Sequence, residues 1–250
     1  MTKILILYTV FLFQLNPIRA MSKSVLEQAI NRGQVWRGKH FSSVPIKGLD
    51  TGFPSLNQAL ADGGWPADGV TEIEYRSLGM GEVSLLFPAL APLSHQDQWI
   101  LWVAPPYPLY APALINGGLS LYNNLIIQPQ SRRDLLWSIE ESLKSSSSSA
   151  VLAWPESMRP EHVRRLQIIA TQQQKPCFLF QDRQYANSPS SLRACLKMLP
   201  QGGLCVEIQK QRRGWAAAKV AINPPHPLSF LIRPPFPSAA ESDAHRKIVR

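Results

Sequence analysis

The sequence predicts an α/β domain with a mostly parallel central sheet, helices on both of its faces and a β-hairpin at the C-terminal end. Three observations carry the prediction. Between Val70 and Gln181 short apolar runs alternate with helical patterns, the order that arises when each strand returns to a parallel neighbour through a helix. The run Gln98–Val103 is apolar from Trp99 onward and Ala150–Trp154 is apolar throughout, as in strands covered on both faces. Near the end, Leu204–Ile208 and Ala216–Ile222 flank the polar turn Gln209–Gly214, which reads as a hairpin.

Taken in order, the chain opens with Lys3 ahead of an apolar run, Ile4–Phe13. That outline suits a secretory signal, but Ile18 and Arg19 before Ala20 make a poor small-x-small site, and the run is too short for a membrane span. Met21–Ser24 reads as the start of a cytosolic protein. Residues 1–20 are therefore expected to be an upstream-start artefact or a signal-like segment, and the protein is expected in the cytoplasm without a membrane partner. Residues 21–50 form an N-terminal arm, with a helical pattern at Ser24–Ile30 and then a linker-like passage expected to cap its own domain. The core domain is expected over 51–222, and 223–250 is a proline-rich basic tail expected to be flexible.

Within the core, a short helix and a turn at Gly63 and Gly64 lead to the strand Val70–Tyr75, launched by Ala67, Asp68 and Gly69. The loop Arg76–Gly81 follows, and from Glu82 the residues Val83, Leu85, Leu86, Phe87 and Leu90 predict a buried helix. The strand Gln98–Val103 runs into a proline cluster, where Tyr107 and Tyr110 are expected to pack over the sheet edge. A helix, Ala111–Gly118, precedes the strand Asn124–Gln128. The next helix, Arg132–Lys144, presents Leu135, Leu136, Ile139 and Leu143 on one face. Ser145–Ser149 reads as a flexible low-complexity turn. The strand Ala150–Trp154, the helix Glu161–Gln174 and the strand Phe178–Gln181 come next. Arg159, Arg164 and Arg165 crowd the polar side of that helix, as a solvated face or a nucleic-acid contact. In Tyr185–Gly203, Leu192, Leu196 and Leu199 lie opposite Arg193 and Lys197 and predict a further helix.

A formal net charge of +9 suits either an anionic partner such as nucleic acid or a plain basic protein. Residues 201–250 hold eight Lys/Arg against three acids. Lys210, Arg212 and Arg213 in the hairpin turn are candidate contacts to a DNA backbone, and Arg246, Lys247 and Arg250 a candidate partner-binding tail. Cys177, Cys195 and Cys205 are odd in number and lack C-x-x-C spacing, which points to neither a disulfide framework nor a zinc site. The five histidines lie far apart, and no nucleophile elbow or zinc-protease motif occurs. No metal, no cofactor and no catalytic residue is expected.

The loop after the first strand is the most informative stretch. Strand, glycine loop and helix is the arrangement that offers backbone N–H groups to an anion. The nucleotide-binding form of such a loop also needs a Lys for the β/γ-phosphates and a hydroxyl for Mg²⁺. With Gly81 on the second glycine of that pattern, the first glycine becomes Arg76, the Lys becomes Glu82 and the hydroxyl becomes Val83. A carboxylate repels a triphosphate and valine ligates no metal. Arg76, Ser77, Gly79, Gly81, Glu82 and Val83 therefore form a degenerate phosphate loop, and the chain is expected to be a pseudo-ATPase rather than an enzyme.

The order Thr51–Leu60, Gly63–Pro66 and Val70–Ile73 resembles the segment that leads into the phosphate loop of RecA-type recombinases. More specifically, Val35–Gly38, Gly63–Pro66, Gly81–Leu86 with Pro88–Leu90, Trp102–Tyr107 and Ala150–Pro155 resemble ImuA, a family of degenerate RecA-like proteins related to the SulA cell-division inhibitors. The resemblance covers roughly residues 30 to 222. It implies a RecA-like, P-loop-type core. Prolines 105 and 106 stand where the water-activating carboxylate of such ATPases is expected, Trp154 where the Mg²⁺-holding Asp is expected, and Gln181 where a nucleotide-sensing glutamine is expected. The implied function is a scaffold for SOS-induced, error-prone translesion synthesis. Its implied partners are an ImuB-type, Y-family-like adaptor, a DnaE-type polymerase and RecA. The alternative is a SulA-type inhibitor that binds FtsZ and blocks its polymerisation.

Overall fold

The computed structural model describes residues 48–182, 187–200, 202–212 and 218–223. Their centre is an eight-stranded sheet in the order β3-β2-β4-β5-β1-β6-β7-β8. The strands are β1 (Gly69–Glu74), β2 (Trp99–Val103), β3 (Asn124–Ile127), β4 (Ser148–Ala153), β5 (Pro176–Gln181), β6 (Leu192–Met198), β7 (Leu204–Gln211) and β8 (Lys219–Ile222). From β3 to β6 every neighbouring pair is parallel. β6–β7 and β7–β8 are antiparallel, so the expected hairpin closes one end of the sheet.

The central strands divide their side chains between two cores, which is why they read as unbroken apolar runs. Ile100, Trp102, Ala150, Leu152, Phe178 and Phe180 enter one core. Their sequence neighbours Leu101, Val103, Val151, Ala153, Cys177 and Leu179 enter the other. The first core is covered by α1 (Pro54–Ala59), α2 (Phe87–Ser94) and α3 (Ala111–Asn116), the second by α4 (Arg132–Lys144) and α5 (Pro160–Gln172). Helices thus lie on both faces, as the strand–helix alternation predicts.

Local chemistry sets the helix ends. Ser131 caps α4 by accepting the Asp134 N–H at 3.2 Å, and its hydroxyl donates to the Asp134 carboxylate at 2.7 Å, a serine cap answered by an acid three residues on. Pro160 occupies the first turn of α5, where its missing N–H costs nothing, and Glu161 sits beside the positive helix end. α5 buries Val163, Leu166 and Ala170 against the sheet, a stripe at helical spacing.

Four expectations are corrected. The helix expected from Glu82 begins at Phe87, after a single 3₁₀ turn at Ser84–Leu86. Pro88 lies in the first turn and sets that start. The helix expected over Ala111–Gly118 ends at Asn116, where the chain leaves through Gly117 and Gly118, the latter at φ 83°. The helix expected in Tyr185–Gly203 is the strand β6. Leu192 and Leu196 are four apart, and an even spacing falls on one face of a strand as well as of a helix; pairing with β1 and β7 decides the outcome. Ser145–Ser149 is not a loose turn throughout. Ser148 and Ser149 are buried in β4, and the Ser148 hydroxyl donates to the Ser142 carbonyl at 2.6 Å. Lys175 reaches the same corner and donates to Leu143 O at 3.1 Å, to Ser145 O and to Ser148 Oγ at 3.0 Å.

Candidate functional site

At the carboxyl ends of parallel strands the connecting loops form a crevice, the usual place for ligands in such sheets. Here the crevice lies beyond β1, β2 and β4. The loop after β1 forms one wall, the proline cluster after β2 the second, and Trp154 after β4 the floor.

Gly79 and Gly81 take φ values of 80° and 100°, conformations that side chains with a Cβ adopt at a cost. They fold the loop back so that Glu82 Oε1 accepts the Gly79 N–H at 3.0 Å. The degenerate-loop residues therefore separate by role. Arg76, Ser77 and Gly79 are exposed, Gly81 and Val83 half-buried, and Glu82 is buried with only 6% of its surface accessible. Its other oxygen, Oε2, has no hydrogen-bond partner among the described residues.

Across the crevice Ala104 is held at φ 53°, a left-handed conformation for a non-glycine residue, directly before Pro105. That turn carries Pro105–Tyr110 over the opening, with Tyr107 and Tyr110 exposed at the rim. The floor is a ladder of rings: Trp154 stacks on Phe180 at 4.6 Å and lies 6.1 Å from Trp102, both nearly parallel to it. Each such pair contributes about 0.5–1.5 kcal/mol beyond burial. Trp102 gives its indole N–H to Asn124 at 2.8 Å. The Trp154 indole N–H has no partner among the described residues. The crevice holds a volume of about 260 Å³. Among the described residues no lysine, arginine or histidine lines it.

Gln181, at the end of β5, is wholly buried. Its amide donates to Glu72 at 3.2 Å and accepts the Met158 N–H at 3.1 Å, so it joins β5 to β1 and to the segment before α5.

The described basic candidates, Lys210 and Arg212, lie elsewhere and are engaged within the chain. β7 runs through Gln211, so Lys210 is not in the hairpin turn as expected but in a strand opposite Arg193 of β6. It donates to the carbonyls of Ser188 and Ser190 at 2.6 and 2.8 Å, and burial lowers its pKa. Arg212 pairs with Asp68 at 2.9 Å and with Asp62 at 3.6 Å. Arg165 pairs with the buried Glu140 at 2.7 Å. Arg213, Arg246, Lys247 and Arg250 lie outside the described residues, as do the arm before residue 48 and the tail after 223. Among the described residues no group of acids, histidines or cysteines is placed to hold a metal ion, and no helix is long and apolar enough to cross a membrane.

Sequence reasoning singled out the loop but missed two partners in the crevice. In sequence Pro105 and Trp154 stand out for the chemistry they lack, whereas in the fold they supply the wall and the floor.

Residues 69–176, from β1 to the first residue of β5, match the family described as "Cell division inhibitor SulA". Curated proteins named cell division inhibitor SulA are similar to between a third and a half of the chain. That of Pectobacterium carotovorum is 31% identical over 114 residues, covering 45% of this chain and 68% of its own. That of Pectobacterium atrosepticum is 29% identical over 126 residues, covering 50% and 75%. For Photorhabdus laumondii the figures are 31% over 86 residues, 34% and 49%, so the chain spans about half the length of that relative. Among solved structures, SulA from Pseudomonas aeruginosa is 24% identical, with a TM-score of 0.38, covering 44% of this chain and 96% of that one.

Proposed function

This chain belongs to the SulA family, and from that premise we propose that it is a non-catalytic inhibitor of cell division that acts in the cytoplasm by binding FtsZ and blocking its polymerisation. The carrying observation is the match over residues 69–176, which takes in β1, the glycine loop, the proline cluster and the Trp154 floor. The function for which these relatives are named supports this reading over a translesion scaffold. Glu82 and Val83 in place of a phosphate-binding Lys and a Mg²⁺-binding hydroxyl, and a crevice wall without a basic side chain among the described residues, support a RecA-like core that has lost its ATPase chemistry.

The test is GTP-dependent assembly of FtsZ from the same genome, followed by light scattering and sedimentation with the full chain added. Assembly is expected to fall in proportion to the inhibitor and to stop near equimolar amounts. Undiminished assembly at a several-fold excess overturns the proposal.

One observation favours the second reading. β6, β7 and β8 follow the matched segment, so the chain carries a sheet extension that the family match does not include. In that reading the protein is an SOS-induced scaffold for an ImuB-type adaptor and a DnaE-type polymerase, with RecA and DNA backbone as further contacts. Pull-down from DNA-damaged cells that recovers the polymerase and not FtsZ would select it.

A further inference from the structure

We propose that the groove between the first turns of α4 and α5 is a binding site for a small organic carboxylate, an apolar ring or short alkyl body that carries one acidic group. Three observations converge on it, and none depends on the division-inhibitor reading.

The first is place. α4 follows β3 and α5 follows β4, so their first turns meet at the carboxyl ends of parallel strands, where sheets of this kind hold ligands. Trp154 floors the crevice described above, and its neighbour Pro155 lines this groove on the face that carries the second core. The second is size and lining. The groove holds about 330 Å³, and Leu135, Leu136 and Met158 give it an apolar surface on which a single ring can lie. The third is charge. Arg132, Arg133 and His162 line the same groove, and among the described residues no carboxylate does. Nη2 of Arg132 donates to the carbonyl and the hydroxyl of Ser157 at 2.9 and 3.2 Å. Ser157 is itself part of the lining, so these bonds hold the guanidinium at the groove. Its Nε and Nη1 make no bond among the described residues, and the Arg133 side chain makes no hydrogen bond or ion pair among them. The neighbouring acids stay out of the groove. Asp134 accepts from the Ser131 hydroxyl at 2.7 Å, Glu161 faces Arg159 at 3.9 Å, and Glu156 is exposed outside the lining. Two guanidinium groups at adjacent positions, beside the positive ends of two helices of 13 residues each, favour an anion. Their unused donors suit the oxygens of a carboxylate, and the apolar lining takes the body attached to it.

The experiment is an NMR titration of the full chain with 3-phenylpropionate, following the backbone amides of Arg133, Met158 and His162. All three are expected to shift and saturate together. The neutral 3-phenylpropionamide, which has the same shape, is expected to bind at least about tenfold more weakly because it forgoes the charge-assisted bonds. Acetate keeps the charge without the ring and is expected to lose at least about tenfold as well.

Two variants address the two arginines separately. Arg133→Met keeps an aliphatic stem and removes a guanidinium that no bond among the described residues uses, so it leaves the fold intact. It is expected to weaken 3-phenylpropionate by about threefold to tenfold. Arg132→Gln keeps a donor for Ser157 and removes the charge, and is expected to weaken binding about tenfold. Arg164→Met alters an exposed position of α5 outside the lining and is expected to bind as the wild type does. Absence of any saturable shift, equal binding of the acid and its amide, wild-type affinity in both groove variants, or an equal loss in Arg164→Met overturns the proposal.

Discussion

The side-chain oxygen of Gln167 accepts the backbone N–H of Val70 at 2.9 Å. The same oxygen takes the N–H and the hydroxyl of Ser191 at 3.0 and 3.1 Å, while the amide nitrogen donates to Thr171 at 2.9 Å. One residue of α5 therefore secures the entry to β1 and the residue before β6. Gln167→Ala leaves the Val70 N–H and the Ser191 hydroxyl without this acceptor beside the core, while the Ser191 N–H keeps the Val70 carbonyl at 2.9 Å, and is expected to lower stability by about 2 kcal/mol. Gln167→Glu retains an acceptor and is expected to lose less than half of that. Urea unfolding of the two variants checks the order.

Lys175 ends at three acceptors at the α4–β4 corner, and burial lowers its pKa below the ordinary 10.5. Between the lowered folded value and 10.5 the unfolded chain binds the proton more firmly than the folded one. The linkage therefore adds stability as pH rises through that window. Lys175→Met is expected to remove this alkaline gain while costing about 2 kcal/mol at neutral pH, because the Leu143 carbonyl and the Ser148 hydroxyl lose the ammonium donor, whereas the Ser145 carbonyl keeps Ser148. Unfolding free energies measured from pH 7 to 10.5 for both chains separate the two effects.

Ala104 stores backbone strain at the crevice mouth, with φ at 53°. Ala104→Gly relieves it and is expected to stabilise the protein by about 0.5–1 kcal/mol, the left-handed penalty less the added freedom of the unfolded chain. A lower thermal midpoint in the glycine variant would contradict that assignment.

The cysteines are expected to react unequally. Cys177 is fully buried and its pKa is pushed up to about 12, while Cys195 is buried with its pKa raised by burial and then by the nearby Glu74. Cys205 is half-buried. Ellman's reagent at pH 8 should titrate one thiol quickly in the native protein and three after denaturation.

Much of the architecture is legible in the residues. Runs such as Ile100–Val103 and Ala150–Ala153 are apolar through successive positions because one core takes the even positions and the other the odd. Ser131 with Asp134 marks the start of α4 in the same way. What stays hidden depends on partners distant in sequence. Nothing near Arg212 announces Asp62 and Asp68, and nothing near Gln167 announces Val70. The Leu192–Leu196 spacing fits a helix and a strand equally until β1 and β7 supply the ladder. The glycine loop is visible in sequence as a set of departures from a pattern. The cavity it borders is not visible, because Pro105 and Trp154 meet it from separate strands.

The bond from Gly79 to Glu82 has a thermodynamic corollary. A loop ordered by a dissolved anion gains stability with the logarithm of that anion's concentration. Here the anion is part of the polymer, held three residues from the N–H it satisfies, so its effective concentration is fixed by covalent connection. The contribution of this bond to the order of the loop is therefore independent of the supply of phosphate compounds.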